Sequence, residues 1–247
     1  MFNKSNTGFW SAIKPKTGFF LGILAGVLIM FVIGFFILLG LYITNESDDD
    51  SFADNNNPSV VNNNGNAVAA GQPANIRGIQ KEEAVRGDKK AKVVMIEYSD
   101  FQCPYCTRAH ESFEQVMQEY GDKVAWVYRH FPLDDSHSYA RKTAEASECA
   151  NDQDKFWEFV DETFNDNSIL NQGETGIKQI ASSIGLNMND FNSCLDSGKY
   201  INKVNTDYQE GLANGVSGTP STFINGQLVK GAVPFESFKQ IIDSILE

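Results

Sequence analysis

The sequence predicts an α/β fold in which a βαβ unit and a ββα unit are separated by a block of helices. One membrane-spanning helix and a flexible linker precede it. Three observations carry this expectation. A short, β-branched apolar run over residues 93–98 ends near two cysteines, Cys103 and Cys106, and passes into helical spacing at Ala109, Phe113, Val116, Met117 and Tyr120. A second apolar run over residues 124–131 follows a Gly121-Asp122 turn, so two strands joined by a helix should pair in parallel with a right-handed crossover. Between about residues 136 and 213 the period becomes helical, and the chain then returns to strand on both sides of Asn225-Gly226.

Taken from the N-terminus, residues 1–18 are a short basic leader into residues 19–43, an almost wholly apolar run. That run exceeds the roughly 20 residues needed to cross a bilayer. The competing reading is a cleaved signal peptide, whose apolar core is usually about 7–15 residues and ends at a small-residue site. The run here is longer, and Leu41-Tyr42-Ile43-Thr44-Asn45-Glu46 offers no such site, so an uncleaved anchor is favoured. Lys4, Lys14 and Lys16 precede the span and Asp48, Asp49 and Asp50 follow it, which puts the N-terminus in the cytoplasm and the bulk of the chain outside. Gly18, Gly22 and Gly26 recur at a spacing that lets helices pack closely, although glycine is common in membrane helices in any case.

Residues 44–75 are rich in Asn, Asp, Gly, Ala and Ser and poor in large apolar side chains, too little to fold on. A flexible tether of this length has a root-mean-square reach of roughly 30–35 Å. The domain from residue 76 to 247 has ample apolar content for a core. The first core strand begins at about residue 92, and the insertion helices are expected around Ala140, Ala144 and Ala146, around Phe156 to Phe164, and around Ile177 to Ile184. A last helix over residues 234–246 gathers Phe235, Phe238, Ile241, Ile242 and Ile245 on one face. The net charge of −12 argues against a nucleic-acid partner.

The chemistry centres on Cys103-Pro104-Tyr105-Cys106. Pro104 suits the first turn of a helix, where its missing N–H would have been unpaired. Cys103 then stands at the helix N-terminus, where free N–H groups and the macrodipole favour a thiolate, the attacking form. This spacing serves thiol–disulfide exchange. It is also half of many zinc sites, but Cys149 and Cys194 stand alone and far apart, so no second ligand pair is visible and no metal is expected.

The string Glu97-Tyr98-Ser99-Asp100-Phe101-Gln102-Cys103-Pro104-Tyr105-Cys106 resembles the DsbA-like branch of the thioredoxin superfamily. Tyr128-Arg129-His130-Phe131-Pro132-Leu133, Phe156-Trp157 and Gly215-Val216-Ser217-Gly218-Thr219-Pro220 extend the resemblance over about residues 76–247. It implies a thioredoxin fold whose two halves are separated by a helical insertion. By that resemblance Cys103 is the nucleophile and Cys106 the resolving thiol. Glu97, on the buried strand, would pass protons to and from Cys106; the alternative is a carboxylate paired with a lysine. Thr219-Pro220 matches the loop whose proline is cis and faces the disulfide, with the Thr219 backbone free to pair with an extended substrate. Pro104 and Tyr105 complete the expected substrate-facing set. Tyr105 stands where the DsbA prototype has a histidine that stabilises the thiolate, so the pair should be less oxidising. Of the three histidines, His110, His130 and His137, the first lies about two helical turns beyond Cys103 and is expected at the surface.

Four cysteines suit one redox pair and one structural pair. On the oxidising side of a membrane a Cys149–Cys194 bridge would persist; two buried free thiols are the alternative. The leading expectation is a membrane-tethered oxidoreductase, needing no cofactor, that forms disulfides in exported proteins bearing free thiols. A quinone-linked membrane partner, DsbB-like or related to vitamin K epoxide reductase by resemblance, would reoxidise it. A reductase or isomerase on the same face is the second reading, and a non-catalytic domain that kept the fold is the third.

Overall fold

The computed structural model describes residues 76–247 and, before them, Phe35. The expected cytoplasmic leader, transmembrane span 19–43 and linker 44–75 lie outside the described residues. Among the described residues, no helix is long and apolar enough to cross a membrane.

Five strands form one sheet in the order β1-β3-β2-β4-β5. Its centre is β2 (Val93–Ser99), followed by helix α1 (Pro104–Tyr120) and then by β3 (Val124–His130). Strands β2 and β3 pair in parallel, with Glu97 beside Tyr128 and Ser99 beside His130. Both strands are buried almost throughout, as a sheet covered on both faces requires.

On the other side of β2 lies the antiparallel hairpin of β4 (Ser221–Ile224) and β5 (Gln227–Lys230). Asn225 and Gly226 turn it with φ of 45° and 87°, the positive values a two-residue turn of this kind needs. The Asn225 side chain also accepts from the Val94 N–H at 2.7 Å and donates to the Lys92 carbonyl at 3.0 Å, which ties the turn to the central strand.

One strand was not foreseen. Strand β1 (Val85–Gly87) pairs antiparallel with β3 at the sheet edge. Three residues among charged neighbours carry no readable alternation.

Between β3 and β4 run α2 (Ala140–Asn151), α3 (Phe156–Asn165), α4 (Glu174–Ser183), α5 (Met188–Ser197) and α6 (Ile201–Ala213). They enclose a core that includes Phe156, Phe159, Val160, Ile177, Ile180, Phe191 and Leu195 and that reaches Phe101, Cys103 and Cys106. A second core, between the sheet and α1, is closed by the terminal helix α7 (Phe235–Leu246) through Phe238 and Ile242.

Helix α6 lies close against the sheet because it presents Gly211 there. A Cβ at Gly211 would stand 2.7 Å from Phe131 Cδ2 and 3.0 Å from Tyr98 Cδ1. Arg129, fully buried on β3, bonds Glu83 at 2.8 Å, Glu210 at 3.0 Å and the carbonyls of Arg77 and Gly78 at 3.0 and 3.1 Å. A buried guanidinium is tolerated because its donors are occupied and its charge is balanced. This network fastens the beginning of the domain to β3 and α6.

Cys149 of α2 and Cys194 of α5 form a disulfide across 45 residues of sequence. The bridge sits within the insertion and removes conformations from the unfolded chain. In the chain-entropy account a loop of that length contributes about 4 kcal/mol. Replacing both cysteines with alanine should therefore lower the urea midpoint by the equivalent of about 2–4 kcal/mol. Equal midpoints for the two proteins would show that the bridge contributes nothing.

Candidate active site

Strand β2 ends at Ser99, and the turn that follows delivers Cys103 to the start of α1. Asp100, buried, is the knot of that turn. One of its oxygens accepts the Gln102 N–H at 2.7 Å, and the other accepts the Leu133 N–H and contacts His137 Nδ1, both at 2.8 Å. Phe101 stacks on Tyr128 with ring centres 4.9 Å apart and on Phe164 at 5.5 Å. Gln102 accepts from the Tyr139 N–H at 2.6 Å. The turn is thus held by β3, by the segment after it and by the insertion helices.

Cys103 is the residue that begins α1, with Pro104 in the first turn and no side-chain cap. Its carbonyl accepts the N–H groups of Cys106 and Thr107 at 3.0 and 3.2 Å. The Thr219–Pro220 peptide bond is cis, and the Thr219 carbonyl lies 3.5 Å from Cys103 Sγ. Tyr105 stands exposed beside the pair, with the Arg108 guanidinium over its ring.

The two sulfurs differ sharply. Cys103 and Cys106 are unbonded thiols. The Cys103 pKa falls to about 6: the Cys106 thiol donates to it, outweighing desolvation, and the backbone N–H groups of Cys106 and Tyr105 assist. Cys106 moves the other way. Burial, the hydrogen bond it gives Cys103 and the nearby charges of Cys103 and Glu97 hold its thiol well above the ordinary range.

Glu97 is fully buried, and its charge reaches Cys106. Burial pushes its carboxyl up to about 7, although Ser99, the charge of His110 and Trp126 oppose the shift. Trp126 Nε1 donates to Glu97 Oε2 at 3.1 Å, so an indole, and not a lysine, is the partner. The Ser99 hydroxyl lies against Glu97, Cys106 and the Tyr128 phenol and counteracts the upward shift of each.

The structure thus brings Cys103, Cys106, Glu97, Tyr105 and the Thr219–Pro220 loop together and leaves Cys149 and Cys194 apart in the insertion. His110 is a correction. It is buried, 6% exposed, and not at the surface. Distance along the helix from Cys103 misled; the four-residue step from Cys106 puts His110 on the face turned to the core. His130 is buried against Glu148 at 3.0 Å, and His137 is bound to Asp100. Glu148 and Asp207, which with His130 could frame a cation, both already face the Lys203 ammonium, at 3.5 and 2.5 Å. Ser99, Asp100 and Trp126 are functional residues that the sequence analysis did not single out. Only the side-chain alternation of β2, which puts Ser99 on the face of Glu97, pointed to any of them.

An outer thiol eased toward ionisation, an inner thiol held protonated and a buried carboxyl acting on the inner one, on a sheet of this topology, define a thiol–disulfide exchange domain of DsbA-like kind. Residues 80–244 match the family model described as Thioredoxin, and the chain belongs to that family. The chain is similar to Wolbachia pipientis alpha-DsbA1 in its crystal structure, with 27% identity, a TM-score of 0.61, and coverage of 68% of this chain and 92% of that one. Oxidised BdbD from Bacillus subtilis shares the fold at 21% identity, with a TM-score of 0.59 over 71% of this chain and 99% of that one. Among curated proteins, "Na(+)/H(+) antiporter NhaA 1" of Mycolicibacterium vanbaalenii is 35% identical over 147 residues, which are 60% of this chain and 24% of that protein. Its namesake in Salinispora arenicola is 32% identical over 163 residues, 65% of this chain and 24% of that protein. The chain spans about a quarter of the length of these curated relatives.

The raised Glu97 pKa has a consequence for stability, because between its ordinary value of 4.5 and about 7 the folded protein holds a proton that the unfolded chain has released. Stability from this group is complete below the lower value and is lost as pH rises through the upper one. Glu97→Gln should stabilise the protein above about pH 7 by on the order of 3 kcal/mol and leave it unchanged at about pH 4. A variant no more stable than the parent at either pH would contradict the burial cost.

Proposed function

We propose that this chain is a membrane-tethered thiol:disulfide oxidoreductase that forms disulfides in exported proteins. The observation that carries the reading is the opposed ionisation of Cys103 and Cys106, the former lowered to about 6 and the latter raised. A client thiolate attacks Cys103 Sγ of the oxidised pair, and the S–S bond breaks with its electron pair leaving on Cys106. Cys106 takes a proton from Glu97. A second client thiolate then attacks the client sulfur of the mixed disulfide, and Cys103 leaves as a thiolate. Two electrons have passed to the enzyme and the client holds a new disulfide.

Stabilising the departing Cys103 thiolate favours the reduced enzyme, which makes the disulfide an oxidant. The Thr219 carbonyl beside Cys103 supports a role for this loop in aligning an extended client backbone, a pairing that tolerates many sequences. Pro104 and the exposed Tyr105 ring flank the same approach. Tyr105 brings no positive charge to Cys103, so the pair is a milder oxidant than DsbA.

The apolar run 19–43 and its flanking charges support an anchor with a cytoplasmic N-terminus and an extracytoplasmic domain. An oxidant there must be reset. The proposed partner is a quinone-linked membrane protein, DsbB-like or related to vitamin K epoxide reductase, that takes two electrons from the Cys103–Cys106 dithiol.

Four measurements test this. Iodoacetamide labelling of Cys103 should rise with a midpoint near pH 6, and Cys103→Ser should abolish oxidation of a reduced, unfolded client. The potential should fall between the roughly −120 mV of DsbA and the roughly −200 to −230 mV of glutaredoxins. A value below thioredoxin's roughly −270 mV would favour a reductase. Protease added to intact cells should reach the domain, and protection from it would remove the exported client class.

A further inference from the structure

Glu97 and Cys106 are both wholly buried, yet the cycle above requires protons to reach and leave them. Glu97 Oε2 accepts from Trp126 Nε1, an N–H with no lone pair through which a proton could pass on, and the Ser99 hydroxyl that lies against Glu97 and Cys106 is itself buried and does not reach water. The other Glu97 oxygen, Oε1, has no protein donor among the described residues. Those facts leave the route from carboxyl to water unassigned.

His110 is placed to supply it. It follows Cys106 by one helical turn on the same face of α1. Its ring lies 5.5 Å from that of Trp126, the residue that bonds Glu97, and 5.0 Å from that of Phe164, and its charge acts on the Glu97 carboxyl. Nδ1 is buried with no protein partner among the described residues. Nε2 points outward to Asp161 Oδ1 at 3.1 Å. Asp161 belongs to α3, and its side chain is 37% exposed where that of His110 is 7% exposed. The other Asp161 oxygen accepts from Arg86 of β1 at 2.6 Å, and Glu114 on α1 stands 3.9 Å from Nε2.

We propose that His110 and Asp161 form the proton passage between Glu97 and solvent, with His110 exchanging protons at Nδ1 on its inner side and at Nε2 on its outer side. Imidazole suits this because one nitrogen can accept while the other releases. The inference rests on the exchange reading given above. A histidine that merely fastened α1 to α3 would need only its Nε2 bond to Asp161. A glutamine amide could make that bond without relaying protons.

The test separates the two sulfurs. Reduced full-length protein mixed with Ellman's reagent (DTNB) releases one thionitrobenzoate as Cys103 attacks and is left bearing the other as a mixed disulfide, and releases that second one as Cys106, losing its proton, attacks Cys103 Sγ and closes the Cys103–Cys106 disulfide. His110→Gln and Asp161→Asn should leave the first phase unchanged and slow the second by about tenfold or more, with a changed pH profile. A second phase at the parental rate across the pH range in either variant would overturn the proposal. So would equal slowing of both phases, because that marks a packing role. Should His110→Gln fail to fold, Asp161→Asn carries the same test. A parent protein without the two phases would instead overturn the exchange reading, and the passage with it.

Discussion

Two sulfurs three residues apart along one helix are held in opposite protonation states, and the rest of the domain is built around keeping them so. The helix terminus gives Cys103 the backbone N–H groups of Cys106 and Tyr105 and the Cys106 thiol as donors, and its pKa drops to about 6. One turn deeper the same helix buries Cys106 against the sheet, where charge has no water to stabilise it. Each assists the other, because the hydrogen bond that eases ionisation of the outer sulfur keeps the proton on the inner one. Neither state would survive if the helix start slid or tilted by part of a turn.

That sensitivity explains how much structure converges on four residues before the helix. Asp100 ties the turn to itself and to the segment after β3, while Phe101 is gripped between Tyr128 and Phe164. The helical insertion therefore does more than cover a surface: Phe159 and Phe164 of α3 form a wall of the same cavity that holds Phe101. The disulfide between α2 and α5 and the ion network around Arg129 brace the insertion and the start of the domain at a distance from the sulfurs. Rigidity is supplied from outside the reacting groups, and none of them has to serve as a strut.

Beneath the sulfurs the priorities reverse. Glu97 is buried with one indole bond, and its carboxyl, Ser99 and Tyr128 lie where apolar side chains would pack more favourably. A group that destabilises the fold at neutral pH is retained in the pocket that faces the inner thiol. Such a position is where departures from good packing are expected to serve chemistry.

Much of this was determined by local pattern. Period and length marked β2, α1, β3, the hairpin and α7; Asn225-Gly226 marked the turn; and Cys103-Pro104-Tyr105-Cys106 after a buried strand marked the chemistry, because each depends on neighbours in the chain. Strand β1 was illegible, since three residues pair only because β3 presents an edge. Tertiary structure alone decided the rest. It settled the expected Cys149–Cys194 bridge against two free thiols, gave Glu97 an indole where a lysine was conceivable, turned His110 inward onto Asp161, and set the Thr219 carbonyl 3.5 Å from a sulfur 116 residues away. The physical reason is that burial, and with it the proton affinity of every group in the site, is a property of what packs against a side chain, and those neighbours come from distant parts of the chain.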